Sequence, residues 1–287
     1  MLVRVICPSV LFALSALFVP QGGAQKTALV TVIADASGPI RDLAAGDFVV
    51  REDNTKREVL SATGSDDPLS ITLLVDTTQP AMGSQYPTQD VRNAIATFVK
   101  TIRAASPDAQ IALMQYSGAS VTTVDFSAPA GDLDKAVQRL YPNPQATAVL
   151  LEGLTDAGKK IAARPAPRRA IVVVDFNSPE SSTEQQMKVA VDSVHNAGAT
   201  VWPVSVRGTA PTVAIREEVL NKLTKANGGL RMSSVDSTGL EGLLKSVANS
   251  LTSQYVVTFV RPNNSSPKAT EFSTTRGAKV LLTPFMR

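Results

Sequence analysis

The stretch Leu69 to Met82, LSITLLVDTTQPAM, constrains this chain more than any other. Leu69, Ile71, Leu73, Leu74 and Val75 form too continuous an apolar run for a strand with one wet face. They suit the middle of a parallel sheet covered on both sides. The run stops abruptly at Asp76, followed by the hydroxyls of Thr77 and Thr78, then Gln79 and Pro80. The crevice outside the carboxyl ends of the strands is where open α/β sheets bind ligands. Residues 76 to 80 are therefore expected at an exposed functional edge, with Thr77 and Gln79 as binding-rim residues.

The chain on either side supports such a sheet. Val91, Ile95, Phe98, Val99 and Ile102 recur at helical spacing, which predicts a helix over 88 to 105. Gln110 to Tyr116 and Val121 to Phe126 read as two strands separated by Ser117, Gly118 and Ala119. Helical stripes follow at Leu133, Val137 and Leu140, and again at Leu150, Leu151, Leu154, Ala157 and Ile161 in a helix opened by Thr147. Ala170 to Val174 is a second continuously apolar strand, ending in Asp175, Phe176 and Asn177, and Asn177 joins the rim residues. A helix carrying Met187, Val191 and Val194 leads to a strand over Thr200 to Val206, where Pro203 suggests an edge or a bulge. Ile215, Val219, Leu220 and Leu223 mark a further helix, stopped by Asn227, Gly228 and Gly229. Leu230 to Met232 is a short strand, and Leu240, Leu243, Leu244, Val247 and Leu251 mark the last helix.

Outside this block the period is two. Residues 28 to 34 alternate, 47 to 62 read as a hairpin around Asp53 and Asn54, and Tyr255, Val257 and Phe259 return to β-spacing. After a polar turn over Pro262 to Lys268, with Asn263 to Ser266 at its tip, Phe272 and Val280 to Leu282 follow. The fold class expected is α/β, a Rossmann-like, doubly wound, mainly parallel sheet with a small accessory β-layer from the N- and C-terminal segments. The division expected is a signal peptide over 1–24, an accessory β-segment over 25–66, the main domain over 67–253, and a C-terminal β-segment over 254–287 that pairs with the N-terminal one.

The opening MLVRVICPSVLFALSALFVPQGGAQ has a basic start at Arg4, an apolar stretch from Val10 to Val19 and small residues at cleavage spacing, Gly22 and Ala24. This is the pattern of a secretory signal peptide, and it predicts export to the periplasm or beyond, with no stable membrane span after cleavage. The apolar run is shorter than the ~20 residues that a membrane span needs. Cys7, the one cysteine, lies inside this signal, so the mature chain has neither a disulfide nor a thiol nucleophile. Removing residues 1–24 takes away Arg4 and no acid. That leaves 27 of the 28 Lys and Arg residues against 25 Asp and Glu, a net charge of +2. So small an imbalance does not predict a nucleic-acid partner, although the sequence pI is about 9.0.

Enzyme signatures are lacking. There is no Gly-x-Ser-x-Gly elbow, no phosphate-binding Gly-rich loop ending in Lys, and no His-Glu-x2-His pair. The lone His195 falls near the end of a predicted helix, an ordinary place for an imidazole. Asp76 after a buried strand is compatible with a hydrolase that uses an aspartyl nucleophile, but the second Asp of that pattern is replaced by Thr78. The chain is therefore read as non-enzymatic.

The order of these motifs resembles the von Willebrand factor A domains, and within them the secreted bacterial group often called VWFA-related. VTVIADASGPIRDLAAGDFVVREDNTKREV, with Asp47 and Phe48, resembles that group's N-terminal β-segment, and LLVDTTQPAM resembles its metal-site strand. VHNAGATVWPVSVRG, LTKANGGLRM and VANSLTSQYVVTFVRPN resemble its later strands and closing helix. The resemblance implies a metal-ion-dependent adhesion site on the upper rim. There, an Asp-x-Ser-x-Ser loop, a Thr from a second loop and an Asp after the fourth strand hold Mg²⁺, an ion that demands hard oxygen ligands in octahedral array. Carried over by position, the ligands implied are Asp76, Thr78, Thr147 and Asp175.

Two departures bear on that site. Pro80 stands where the second serine belongs, and Phe176 stands at the usual ligand position, so that Asp175 either points into the sheet or serves as a shifted ligand. The expectation is a protein-interaction module of adhesion type with a degenerate metal site and no required cofactor. A functional Mg²⁺-dependent adhesion domain is the first alternative, and a hydrolase using Asp76 the second.

Overall fold

The run from Leu69 to Asp76 is a strand buried at every position, and the rest of the main domain is wound around it. The computed structural model describes residues 23–34, 38–79, 86–208, 211–262 and 266–286. Residues 1–22 of the signal peptide expected over 1–24, Pro80 and the turn tip at residues 263–265 lie outside the described residues. In chain order the elements are β1 (Gly23–Ala34), β2 (Gly38–Pro39), β3 (Phe48–Glu52), β4 (Thr55–Arg57), β5 (Val59–Gly64), β6 (Leu69–Asp76), α1 (Thr88–Ala105), β7 (Gln110–Ser117) and β8 (Ala119–Val124). There follow α2 (Ala130–Gln138), α3 (Leu150–Ala162), β9 (Arg168–Asp175), α4 (Glu184–Asn196), β10 (Thr200–Val206), α5 (Ala214–Asn227) and β11 (Met232–Ser234). The chain closes with α6 (Leu240–Leu251), β12 (Gln254–Pro262), β13 (Thr270–Thr274) and β14 (Lys279–Met286).

The main sheet has the order β11-β10-β9-β6-β7-β8 and is parallel except for the antiparallel edge strand β8. The chain leaves β6 through α1 to β7 on one side and later returns to β9 on the other, so the winding reverses at β6. Strand alternation assigns each residue to a face. Ile71, Leu73 and Val75 of β6, with Ala170, Val172 and Val174 of β9, pack toward α1 and α6. Leu74, Ile171 and Val173 pack toward α3, α4 and α5.

A second β-layer is built from both ends of the described chain. The order β14-β1-β12-β5 is antiparallel, and β13-β3-β4 forms a separate three-stranded sheet. Val30, Val32, Phe48, Val50, Tyr255, Val257 and Phe259 form its core. The buried Glu52 is paired there with Arg57 and Arg261. The layers meet at the amino end of the main sheet, where Arg168 donates to the carbonyls of Ser65 (2.9 Å), Asp67 (3.0 Å) and Leu251 (2.5 Å) and to Gln254 Oε1 (3.1 Å). At the end of α5, Gly228 (φ +64°) and Gly229 (φ +148°) lie against the carbonyls of Leu282 in β14 and Val201 in β10. A Cβ at either position would strike those carbonyls.

Three local expectations change. The hairpin expected over 47–62 is confined to β3 and β4, with Asp53 and Asn54 at positive φ in the tight turn; β5 leaves it to pair with β12. Pro203 does not mark an edge strand, because β11 pairs along the outer side of β10. That pairing begins at Val204, so the proline sits just before it and costs no bond to β11. The helix expected to open at Thr147 begins at Leu150, since Ala148 is held by a bridge to Glu180.

Candidate functional site at the carboxyl end of the main sheet

Asp76 and Asp175 end adjacent parallel strands, Val75 lying beside Val174 in register. By alternation Asp76 shares the face of Leu74, and Asp175 shares that of Ile171 and Val173. Both carboxylates are therefore turned toward the layer that holds α5. On that helix Arg216, Val219, Leu220, Leu223 and Asn227 are the buried residues, an i, i+3, i+4, i+7, i+11 stripe whose first member is a cation.

The guanidinium of Arg216 fills the space between the acids. Its Nη2 lies 3.0 Å from Asp76 Oδ2, its Nη1 2.6 Å from Asp175 Oδ1, and its Nε 2.9 Å from Glu180 Oε2. Arg216 is 2% exposed and Asp76 0%, and the Glu180 side chain is also buried. Glu180 is positioned by the loop after β9. Its carboxylate accepts the backbone N–H of Leu150 at the start of α3 and that of Ser182, the favourable place for a negative charge at a helix N-terminus. Beneath the cluster, the ring of Tyr116 lies 5.7 Å from the guanidinium carbon, and its hydroxyl donates to Val174 O.

Thr78 donates to Asp76 Oδ1 through both its hydroxyl (2.5 Å) and its N–H (2.9 Å). The Tyr86 hydroxyl donates to the Asp76 carbonyl at 2.7 Å, and the Tyr86 ring packs on Phe176 with centroids 5.1 Å apart. Three carboxylates surround one cation, so the cluster carries excess negative charge. Burial raises the Asp76 carboxyl above its ordinary value, against the pull of Arg216 and with the help of the Asp175 charge. Burial alone would lower the Arg216 guanidinium, but Asp175, Tyr116, Asp76 and Glu180 together hold it well above its usual value. Tyr86 and Tyr116 are pushed well up by burial and by the nearby Asp76; they remain neutral donors.

Of the residues singled out from sequence, Asp76, Thr78 and Asp175 are brought together. Thr147 is exposed; its backbone carbonyl accepts the Gly118 N–H at 2.8 Å. The segment expected at an exposed edge is covered, a correction with a clear cause: Asp76, Thr77 and Thr78 are all buried, beneath Arg216 and the loops before α3 and after β9. The Thr77 carbonyl accepts the Asn143 N–H. Asn177, a buried residue at positive φ (51°), has Nδ2 donating to Pro211 O and Oδ1 accepting the Val213 N–H. It thereby anchors the segment leading into α5. Gln79 is half-buried.

The oxygens that an ion would use are bound to a guanidinium. Each acid meets a different nitrogen of a planar group, a spacing set by that group and not by a single small ion. Among the described residues, no group of three His, Cys, Asp or Glu side chains is arranged to hold a metal. As arranged, this donor set does not fit Mg²⁺, which needs its oxygens gathered at about 2.0 to 2.1 Å from one point. Sequence reasoning missed Arg216 and Glu180. The signal for Arg216 was its position three and four residues before Val219 and Leu220, inside an apolar stripe.

A doubly wound sheet reversing at its central strand, with an acid and hydroxyl loop at that strand's carboxyl end, is the arrangement of the A-domain class. The chain belongs to the von Willebrand factor type A domain family, whose model matches residues 70–246. No curated protein matches the sequence. Among solved structures, a von Willebrand factor type A protein from Catenulispora acidiphila is similar over 94% of this chain and 74% of its own, at 12% identity and a TM-score of 0.54. The PilB minor pilin of Streptococcus sanguinis, as a D319A mutant, is similar over 65% of this chain and 62% of its own, at 9% identity and a TM-score of 0.53. Proximal thread matrix protein 1 of the mussel byssus is similar over 64% of this chain and 48% of its own, at 16% identity and a TM-score of 0.53. The chain thus spans less than two thirds of the pilin and about half of the byssus protein. These are likenesses of fold, and they agree with the α/β Rossmann-like class expected from sequence. Among the described residues, no helix is long and apolar enough to cross a membrane.

Proposed function

We propose that this chain is an exported protein-interaction module, periplasmic or extracellular, whose adhesion site is degenerate and which recognises its protein partner through the loops at the carboxyl end of the main sheet, without catalytic turnover. In this reading residues 1–24 are the export signal, 67–253 the recognition domain, and 25–66 with 254–287 an accessory β-layer. The observation that carries it is Tyr141. The loop between α2 and α3 is tied to the sheet end by a bridge from Asn143 to Thr78, and on it Tyr141 is 65% exposed. Arg92 of α1 holds this ring from below, its guanidinium carbon 4.5 Å from the ring centroid while it donates to Leu140 O.

An exposed, pre-oriented aromatic beside an arginine is the kind of anchor that dominates protein interfaces. Val235, 72% exposed, lies past the carboxyl end of β11 on the same rim. The acids, by contrast, are sequestered and offer nothing to a partner directly. A photo-crosslinking residue at position 141, compared with one at the exposed Lys56 in the accessory layer, tests this reading. A discrete adduct is expected from position 141 only, competed by excess unlabelled chain and not by Tyr141→Ala. Equal adducts from both positions, or equal competition by Tyr141→Ala, would overturn it.

A further inference from the structure

The family's adhesion site works by presenting a cation at the sheet's carboxyl end. In this chain a cation is already there, and it is covalently part of the protein. We propose that Arg216 is the resident cation of the rim: it stands in place of a divalent ion among Asp76, Asp175 and Glu180, with one fixed positive charge, and so fixes the rim in one state that neither chelators nor added ions alter. This inference rests on the degenerate-site half of the reading above and is independent of any partner.

The geometry supports it in three ways. The guanidinium spends one nitrogen on each of Asp76, Asp175 and Glu180, so these acids cannot be gathered around one exchangeable ion without breaking buried charge-assisted bonds. Such forked, planar recognition is what arginine supplies and lysine does not. The second hydroxyl-bearing position of the loop, Thr78, is turned onto Asp76 Oδ1, the oxygen that Arg216 does not use. The cation is also held from the helix side. Asn177 binds both Pro211 O and the Val213 N–H immediately before α5, and the helix end is seated by Gly228 and Gly229. These contacts fix the backbone from which Arg216 reaches the acids. A metal-loaded adhesion rim can be switched by ion supply, whereas this one is constitutive.

Two measurements on the full chain test the inference. In the first, titration calorimetry and thermal unfolding are run with millimolar Mg²⁺, Mn²⁺ or Ca²⁺ and with EDTA. Wild type is expected to give flat titrations and one unchanged Tm. Saturable binding that is lost in Asp76→Ala overturns the proposal. In the second, Arg216→Met is compared with a charge-free chain carrying Arg216→Met, Asp76→Asn, Asp175→Asn and Glu180→Gln together. The single variant is expected to lose roughly 10 °C in Tm or to fail to fold, and the charge-free chain to recover most of the loss. A charge-free chain no more stable than Arg216→Met overturns the proposal, because Arg216 would then act by packing alone. Neither measurement involves a partner, so a failed crosslinking experiment would leave this inference standing, and the reverse also holds.

Discussion

Arg168 and Arg216 are both 2% exposed and sit at opposite ends of the main sheet, yet they are satisfied by different chemistry. Arg168, the first residue of β9, is surrounded by four neutral oxygens contributed by the β5–β6 connection, α6 and β12. Burial lowers its guanidinium to about 10, although Asp67 and Asp66 partly oppose this. Arg216, beyond the carboxyl ends of the strands, is surrounded by three carboxylates, which with Tyr116 hold it well above its usual value against the effect of burial. A cage of dipoles is enough to staple two layers together. A cage of three acids holds more charge than one arginine can neutralise, so the arginine there is bound by charge as well as by hydrogen bonds. Equal burial therefore hides unequal roles: one arginine joins parts of the fold, and the other completes a charged site.

The comparison is broken or sharpened first at Arg216. Arg216→Met strands three buried carboxylates, and the expected cost is about 3 to 5 kcal/mol, read as a fall in the urea midpoint at unchanged m-value. Arg168→Met strands carbonyls and no charges, so about 2 kcal/mol is expected in the same assay. Equal losses from the two variants would erase the distinction.

The third test is pH. The folded chain holds the Asp76 proton more tightly than the unfolded chain, because burial raises its carboxyl above 3.8. The stability linked to Asp76 is then fully present below pH 3.8 and is lost as pH rises through the elevated folded value. Asp76→Asn should therefore gain on wild type as pH rises across that window, while Arg168→Met keeps a constant offset from wild type. The smallest effect is expected on the rim surface. Tyr141→Ala should change stability by no more than about 0.5 kcal/mol while failing, as the unlabelled competitor, to suppress the adduct formed from position 141.

How much of this was legible in the sequence depended on how local each signal was. The span of α1 could be read from Val91, Ile95, Phe98, Val99 and Ile102, since a helix declares its buried face within a few turns. The two acids ending apolar strands could be read for the same reason. What a strand pairs with is not local, which is why β5 looked like the return of a hairpin until its register with β12 was seen. Arg216 was harder still. It lies 140 residues from Asp76, and in its own neighbourhood it is one more basic residue on a helix rich in Glu and Lys. The burial of Thr77 and Thr78 was likewise unreadable, because the loops that cover them come from elsewhere in the chain.

The accessory layer carries a consequence for the order in which this molecule matures. Its pairings join distant stretches, as in the bond from the Leu43 N–H to the Tyr255 hydroxyl across 212 positions, whereas the parallel units of the main sheet close much shorter loops. Long-range closure is slow, so β14 is expected to dock last. Because β14 rests on Gly228 at the foot of α5, the helix reaches its final seat only at that step. A chain arriving unfolded would thus acquire its internal counter-charge as the closing event of its assembly.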